Sequence, residues 1–184
     1  MSIKGLEQAI ANLNSISKTA VPRASAQSVN RIAGQAVNRS VSVVAKGTRV
    51  PRKLVKQRAR VRRATVSKPR ALIRINRGNL PAIKLGPASV RLSRRKRDKA
   101  GVNSVLRVGR FRFPGAFIQQ LSNGRWHVLR RSTRSRYPIE VVSIPLATPL
   151  TEAFRSELPR LMEERMPEFM RQNLKNQLRL ILTR

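Results

Sequence analysis

Apolar residues recur at intervals of three and four in the first and last thirds of the chain, and at intervals of two between them. Leu6, Ile10 and Leu13, with Ala9 beside them, predict a helix over Ile3–Ile16. Pro22 fits the first position of a second helix running to about Lys46. Its stripe is Val29, Ile32, Ala33, Ala36, Val37 and Val43, with Gln27, Asn30, Arg31, Gln35, Asn38 and Arg39 opposite. Gly47 is placed to end it, and Pro51 to start a short basic helix over Arg52–Arg60, anchored by Leu54 and Val55.

From Arg70 the period shortens. Strands are expected over 71–76, 80–85 and 89–93, then an exposed basic loop over 94–104, then a strand over 105–113. Asn123-Gly124 predicts a type I′ hairpin turn between strands 116–121 and 125–131. Trp126, Val128 and Arg130 then share one face, and Arg125, His127, Leu129 and Arg131 the other. Neither face is uniformly polar, so both are expected to be covered. Phe111–Arg131 also holds three of the five Phe and the only Trp and His, and is expected to form the β core. The β-branched run 137–144 reads as a final strand. From about Thr148 a long helical stripe returns, with Pro159 and Pro167 inside it, and is expected to be kinked or broken there. The pattern gives an α+β fold: N-terminal helices, a central mainly antiparallel sheet and a C-terminal amphipathic helical segment. A single domain over 1–184 is expected, helical over 1–60, β-rich and basic over 61–146, and helical again over 147–184.

Charge changes this picture most. Forty Lys and Arg stand against eight Asp and Glu, a net +32 in 184 residues. Between Gln8 and Ile139 the only acid is Asp98, whereas five of the eight lie in the C-terminal segment. Such a chain repels itself and calls for a negative partner, nucleic acid or acidic protein. The cations are mostly Arg, which pairs bidentately with phosphate and carboxylate. The candidate contacts are Arg52, Lys53, Lys56, Arg58, Arg60, Arg62 and Arg63, then Arg94, Arg95, Lys96, Arg97 and Lys99, then Arg130, Arg131, Arg134 and Arg136. The first two runs read equally as a solvated face or loop. With few aromatics for base stacking, any DNA contact would be to the backbone.

Other chemistry is sparse. Without cysteine there is no disulfide, no thiol catalysis and no Cys-ligated zinc. No phosphate loop or cation-binding spacing occurs, and no cofactor is expected. His127 reads as a packing or hydrogen-bonding residue rather than a general base; a triad would need Asp98, inside a basic loop. No enzyme is expected. No run approaches a membrane span and no signal peptide is read at the N-terminus, so no membrane partner is expected.

Several segments carry a resemblance. Ser2-Ile3-Lys4-Gly5-Leu6-Glu7-Gln8-Ala9 and Ser15-Ile16-Ser17-Lys18-Thr19-Ala20-Val21-Pro22 resemble the minor tail protein Z family, the tail completion proteins of lambda-like long-tailed phages and prophages. So do Arg52-Lys53-Leu54-Val55-Lys56, Ile83-Lys84-Leu85-Gly86, Pro114-Gly115-Ala116-Phe117-Ile118-Gln119-Gln120-Leu121, Asn123-Gly124-Arg125-Trp126-His127-Val128 and Arg136-Tyr137-Pro138-Ile139. The resemblance runs nearly end to end. It implies a non-enzymatic virion protein, assembled in the host cytoplasm and placed at the head-proximal end of the tail. Implied partners are the tail terminator, the tail tube or tape-measure end, the head-tail connector and genomic DNA. A homo-oligomeric ring is expected, with Val29, Ile32, Ala36, Val43, Phe154, Leu158, Leu161 and Phe169 as candidate subunit contacts, because rings close through heterologous interfaces. A nucleic-acid-binding protein outside a virion, of ribosomal or nucleoid type, explains the charge equally well. It accounts less well for the charge-balanced C-terminal helix. A metal-dependent nuclease would need more carboxylates than the basic region offers.

Overall fold

The computed structural model describes residues 3–91, 105–133 and 137–182. The chain gathers into two compact units, one of Met1–Asn76 with Thr148–Arg184 and the other of Arg77–Ala147.

The first unit is mostly helical. Helix α1 (Ile3–Ser15) runs through a π-helical turn (Ile16–Ala20) into α2 (Val21–Thr48). Ser15, Ala20 and Val21 keep right-handed helical dihedrals, so the two predicted helices form one continuous path. The path stays helical through Pro22, which cannot donate to the preceding turn; the π-helical turn, closed by Val21 N–H on Ile16 O, lies immediately before it. Gly47 lies inside α2, and the helix ends on Arg49, which takes φ 59°. The predicted basic helix is shorter than expected. Helix α3 (Arg52–Lys56) gives way to β1 (Ala59–Arg62), which pairs antiparallel with β2 (Leu72–Ile75). The alternation in Ala59-Arg60-Val61-Arg62 has period two, and pairing with β2 satisfies its backbone.

Helix α4 (Ala147–Leu182) spans 36 residues without a break, although Pro159 and Pro167 lie inside it. Each proline removes one helical N–H and leaves one carbonyl, from Arg155 and Glu163, without its partner. All four residues are exposed, so water can serve those carbonyls. α4 runs antiparallel to α2. Asn173 Nδ2 donates to Ser28 Oγ at 2.9 Å, Arg31 Nη1 donates to Gln172 Oε1 at 3.0 Å, and Arg39 lies 3.9 Å from Glu157. Ala24, Ser28, Ile32, Ala36, Leu150, Leu161 and Phe169 are buried. The buried arc of α2 rotates along its length. Ile32 and Ala36 lie at its centre mid-helix, but Val41 and Val44 are buried near the end, where α3 packs. Asn30 clamps the segment after β1: its Nδ2 donates to Ala64 O at 2.9 Å, and its Oδ1 accepts from Ala64 N–H at 2.7 Å. A residue on the predicted polar side thus holds a crossing strand as backbone would.

The second unit is built from short antiparallel pieces rather than one sheet. Strand β3 (Leu80–Pro81) pairs with β10 (Ser143–Ile144). β4 (Ala88–Arg91), β5 (Val105–Val108) and β6 (Phe111–Pro114) make one three-stranded sheet. β7 (Ala116–Gln120), β8 (Trp126–Arg131) and β9 (Ile139–Val141) make another. The 80–85 segment is mostly a 3-10 turn (Ala82–Leu85) resting against β5 and β8. The expected strand 105–113 is in fact a tight hairpin turning on Gly109, whose φ is 57°.

The hairpin predicted at Asn123-Gly124 forms, with Ile118 opposite Val128 and Phe117 opposite Leu129. Its turn is not type I′, since Gly124 alone takes a positive φ. Gly124 N–H closes the turn on Leu121 O, and Asn123 Oδ1 accepts from Arg125 N–H. Asn123 supplies a side-chain cap there, not a left-handed backbone. Val128 and Leu129, on opposite faces, are both buried, so β8 is covered on both sides. The core is aliphatic: Leu80, Leu85, Leu106, Val108, Val128 and Leu129. Phe111 and Phe113 are half-buried and stacked at 6.3 Å, while Trp126, at the end of β8 beside the turn, is 56% exposed.

Candidate functional site

The candidate site grows from the strand pairing. β1 and β2 place Ala59, Val61, Ile73 and Ile75 on one face and Arg60, Arg62, Leu72 and Arg74 on the other. The register sets Arg60 directly opposite Arg74. Arg63 follows on the same exposed run, and Arg52, Lys53 and Lys56 project from α3, which Val55 anchors in the core. Arg58 is half-buried. Like charges directly opposite destabilise a sheet unless an anion lies between them.

The second unit repeats this arrangement. Arg107 on β5 lies directly opposite Arg112 on β6, with Arg110 at the turn between, and all three are exposed. Arg130 and Arg131 are exposed on β8. Arg130 sits across from Glu140, and the Arg131 guanidinium lies 5.8 Å from the centre of the Phe117 ring. Arg94, Arg95, Lys96, Arg97, Lys99, Arg134 and Arg136, and the loop 94–104, lie outside the described residues.

Among the described residues the ion pairs are Arg39–Glu157, Arg160–Glu164 and Arg165–Glu168, all drawing on acids of α4. Arg60, Arg62, Arg63, Arg74, Arg107 and Arg112 take part in none of them. Arg160 Nε donates to Glu164 Oε1 at 2.8 Å, and this bond first, then the nearby positive charge, holds the Glu164 carboxyl below its ordinary value. The same bond raises the Arg160 guanidinium. The sequence reading missed Arg74, Arg107 and Arg112, because strand spacing gives faces but not register. Gly109, followed by Arg110, was the available signal for the second hairpin.

The candidate subunit contacts divide. Ile32, Ala36, Phe154, Leu161 and Phe169 are buried, and the Arg31 guanidinium lies 4.1 Å from the centre of the Phe169 ring. Val29, Ile32, Phe154 and Leu158 line one apolar groove shared by α2, β2 and α4. Val43 is 52% exposed and borders a separate shallow cleft with Arg39, Arg52 and Arg160. His127 is half-buried; both ring nitrogens are shut off from solvent with no hydrogen-bond partner. That is the setting of a packing side chain. No three His, Asp or Glu cluster as metal ligands, and no helix is long and apolar enough to cross a membrane, among the described residues.

The family model of the prophage minor tail protein Z (GPZ) matches residues 3–184. The chain belongs to this family. Its relatives include the tail completion protein of Escherichia phage N15, 79% identical over 184 residues, and tail completion protein Z of Escherichia phage lambda, 55% identical over 192. Each alignment covers 100% of both chains. No solved structure matches. A structural role in completing the phage tail is the role this minor tail protein Z chain shares with its relatives, and the α+β fold of helices and small antiparallel sheets is the scaffold for it.

Proposed function

We propose that the chain completes the tail at its head-proximal end as a ring in the neck, joining the tail to the head-tail connector and holding the DNA end against an arginine surface. Its neighbours in this reading are the tail terminator, the end of the tail tube or tape measure, and the connector. The observation that carries the reading is the pair of cross-strand arginine couples, Arg60–Arg74 and Arg107–Arg112, in a chain of net +32. Two hairpins hold like charges face to face, and these four arginines take part in none of the ion pairs seen among the described residues. A phosphate backbone turns that repulsion into bidentate hydrogen bonds. Release of condensed counterions makes such binding independent of sequence and steeply dependent on salt.

The test neutralises both couples together, Arg60→Gln and Arg74→Gln with Arg107→Gln and Arg112→Gln. All four side chains are exposed, so the circular dichroism spectrum should be unchanged. Affinity for double-stranded DNA should fall, and the slope of log affinity against log salt should shrink by about 0.9 for each phosphate no longer neutralised. Tails assembled with this variant should join heads less efficiently. An unchanged salt slope with unchanged head joining rejects the DNA contact. An unchanged slope with impaired joining assigns the same arginines to an acidic protein ring.

A further inference from the structure

Helix α1 leaves an apolar stripe uncovered. Leu6, Ile10 and Leu13 share one face and are 60%, 52% and 66% exposed. In the same unit an apolar groove of about 450 Å³ is open, lined by Val29, Ile32, Ile73, Phe154, Leu158 and Met162. Ile32 and Phe154 are its buried floor, Val29, Ile73 and Leu158 are half-buried, and Met162 is 42% exposed, so the mouth of the groove is open. Three aliphatic side chains at helical spacing suit a trough of that size, in the manner of a helix laid in a groove.

The chain cannot satisfy itself. α1 continues through the π-helical turn into α2, and the dihedrals stay helical throughout. Ile10 and Ile32 are therefore separated by 22 residues of helix, or about 30 Å along the axis. Reaching its own groove would require α1 to fold back across that junction.

Charge selects the occupant. In a chain of +32, copies repel one another wherever their cations meet. Between Lys4 and Lys18 there is no cation, and Glu7 supplies one negative charge beside the stripe. Arg70 stands in the groove lining. We infer that α1 of one copy docks in the α2–β2–α4 groove of the next, with Leu6, Ile10 and Leu13 as anchors and Glu7 facing Arg70. The contact is heterologous and passes from copy to copy, closing into a ring when the rotation allows. It rests on the ring reading above and adds which surfaces meet.

The chain has no cysteine, so two single-cysteine chains test the contact directly. Ile10→Cys and isotopically labelled Ile73→Cys are mixed in equal amounts and oxidised. The mixed disulfide should form in excess over like pairs. A Gln8→Cys chain, whose cysteine lies on the opposite face of α1, should link to Ile73→Cys no faster than at random. Adding Leu13→Asp to the Ile10→Cys chain should weaken the mixed pair about tenfold or more, because it removes one buried anchor. Leu13 is exposed, so the helical signal should be retained. If the wild-type chain sediments as an oligomer but the mixed pair matches the Gln8→Cys control, this docking is wrong and the ring reading survives. If the wild-type chain stays monomeric at every concentration and no mixed pair forms, both are wrong. Linkage of Ile10→Cys to a different tail protein, in assembled tails, also overturns the second-copy assignment.

Discussion

A single absent Cβ decides the β5–β6 hairpin. At Gly109, with φ 57°, a Cβ would meet Leu85 O at 2.7 Å, and the Gly109 N–H is already committed to Pro87 O at 2.9 Å. Backbone strain and clash therefore act together, and Gly109→Ala should cost about 1–3 kcal/mol in a urea titration. Gly124, with φ 72° but open space around its missing Cβ, is the comparison, and Gly124→Ala should cost less. His127 predicts the opposite sign. Its ring nitrogens are buried and unpartnered, so an apolar ring of similar shape relieves a desolvation cost. His127→Phe should leave the melting temperature equal or higher; a fall would mean that the imidazole has a polar partner in the assembly. Glu164 gives a pH prediction. Its carboxyl is held low by Arg160, so the pair contributes stability at neutral pH and loses it on acidification through the carboxylate's folded value. Arg160→Ala should move the Glu164 titration, followed by NMR, back up toward its ordinary value.

At the scale of elements, α4 shows how far a local rule extends. Two interior prolines predict a broken helix, yet the helix runs unbroken, with both prolines and the residues four before them exposed where water can serve the freed carbonyls. Proline still lacks a hydrogen bond that alanine would make. Pro159→Ala should raise stability by about 1–3 kcal/mol, measured by thermal or urea unfolding. A loss instead would show that a bend at Pro159 fits α4 to its surroundings. The acids of α4 have a related role. Arg39–Glu157 links α4 to α2, so some of the few carboxylates in the chain are spent inside the first unit. The helices and the 116–131 hairpin were legible from periodicity and turn chemistry. β1, and the division of 105–113 at Gly109, were not, because runs of four residues fit a helix and a strand equally well until a partner strand is known.

For the whole molecule, charge is the dominant quantity. A net +32 implies self-repulsion that a polyanion should relieve. Short DNA duplexes should raise the melting temperature in a concentration-dependent way, and the gain should fade as salt rises. If the increase persists undiminished in high salt, the arginine surface is not an electrostatic site.

The sequence by itself determined the α+β class, the family, the basic character and the broad order of a helical, a β-rich and a second helical region, because these follow from local period, composition and motif. It did not determine that the described strands form four small antiparallel sheets, or that Arg60 faces Arg74 and Arg107 faces Arg112. Nor did it show that Leu161 and Phe169 are buried while Leu6, Ile10 and Leu13 stay exposed. Register, burial and exposure are relations between segments distant in sequence. The tertiary structure decides them, because only packing sets which of two equally apolar stripes is covered and which remains for a partner.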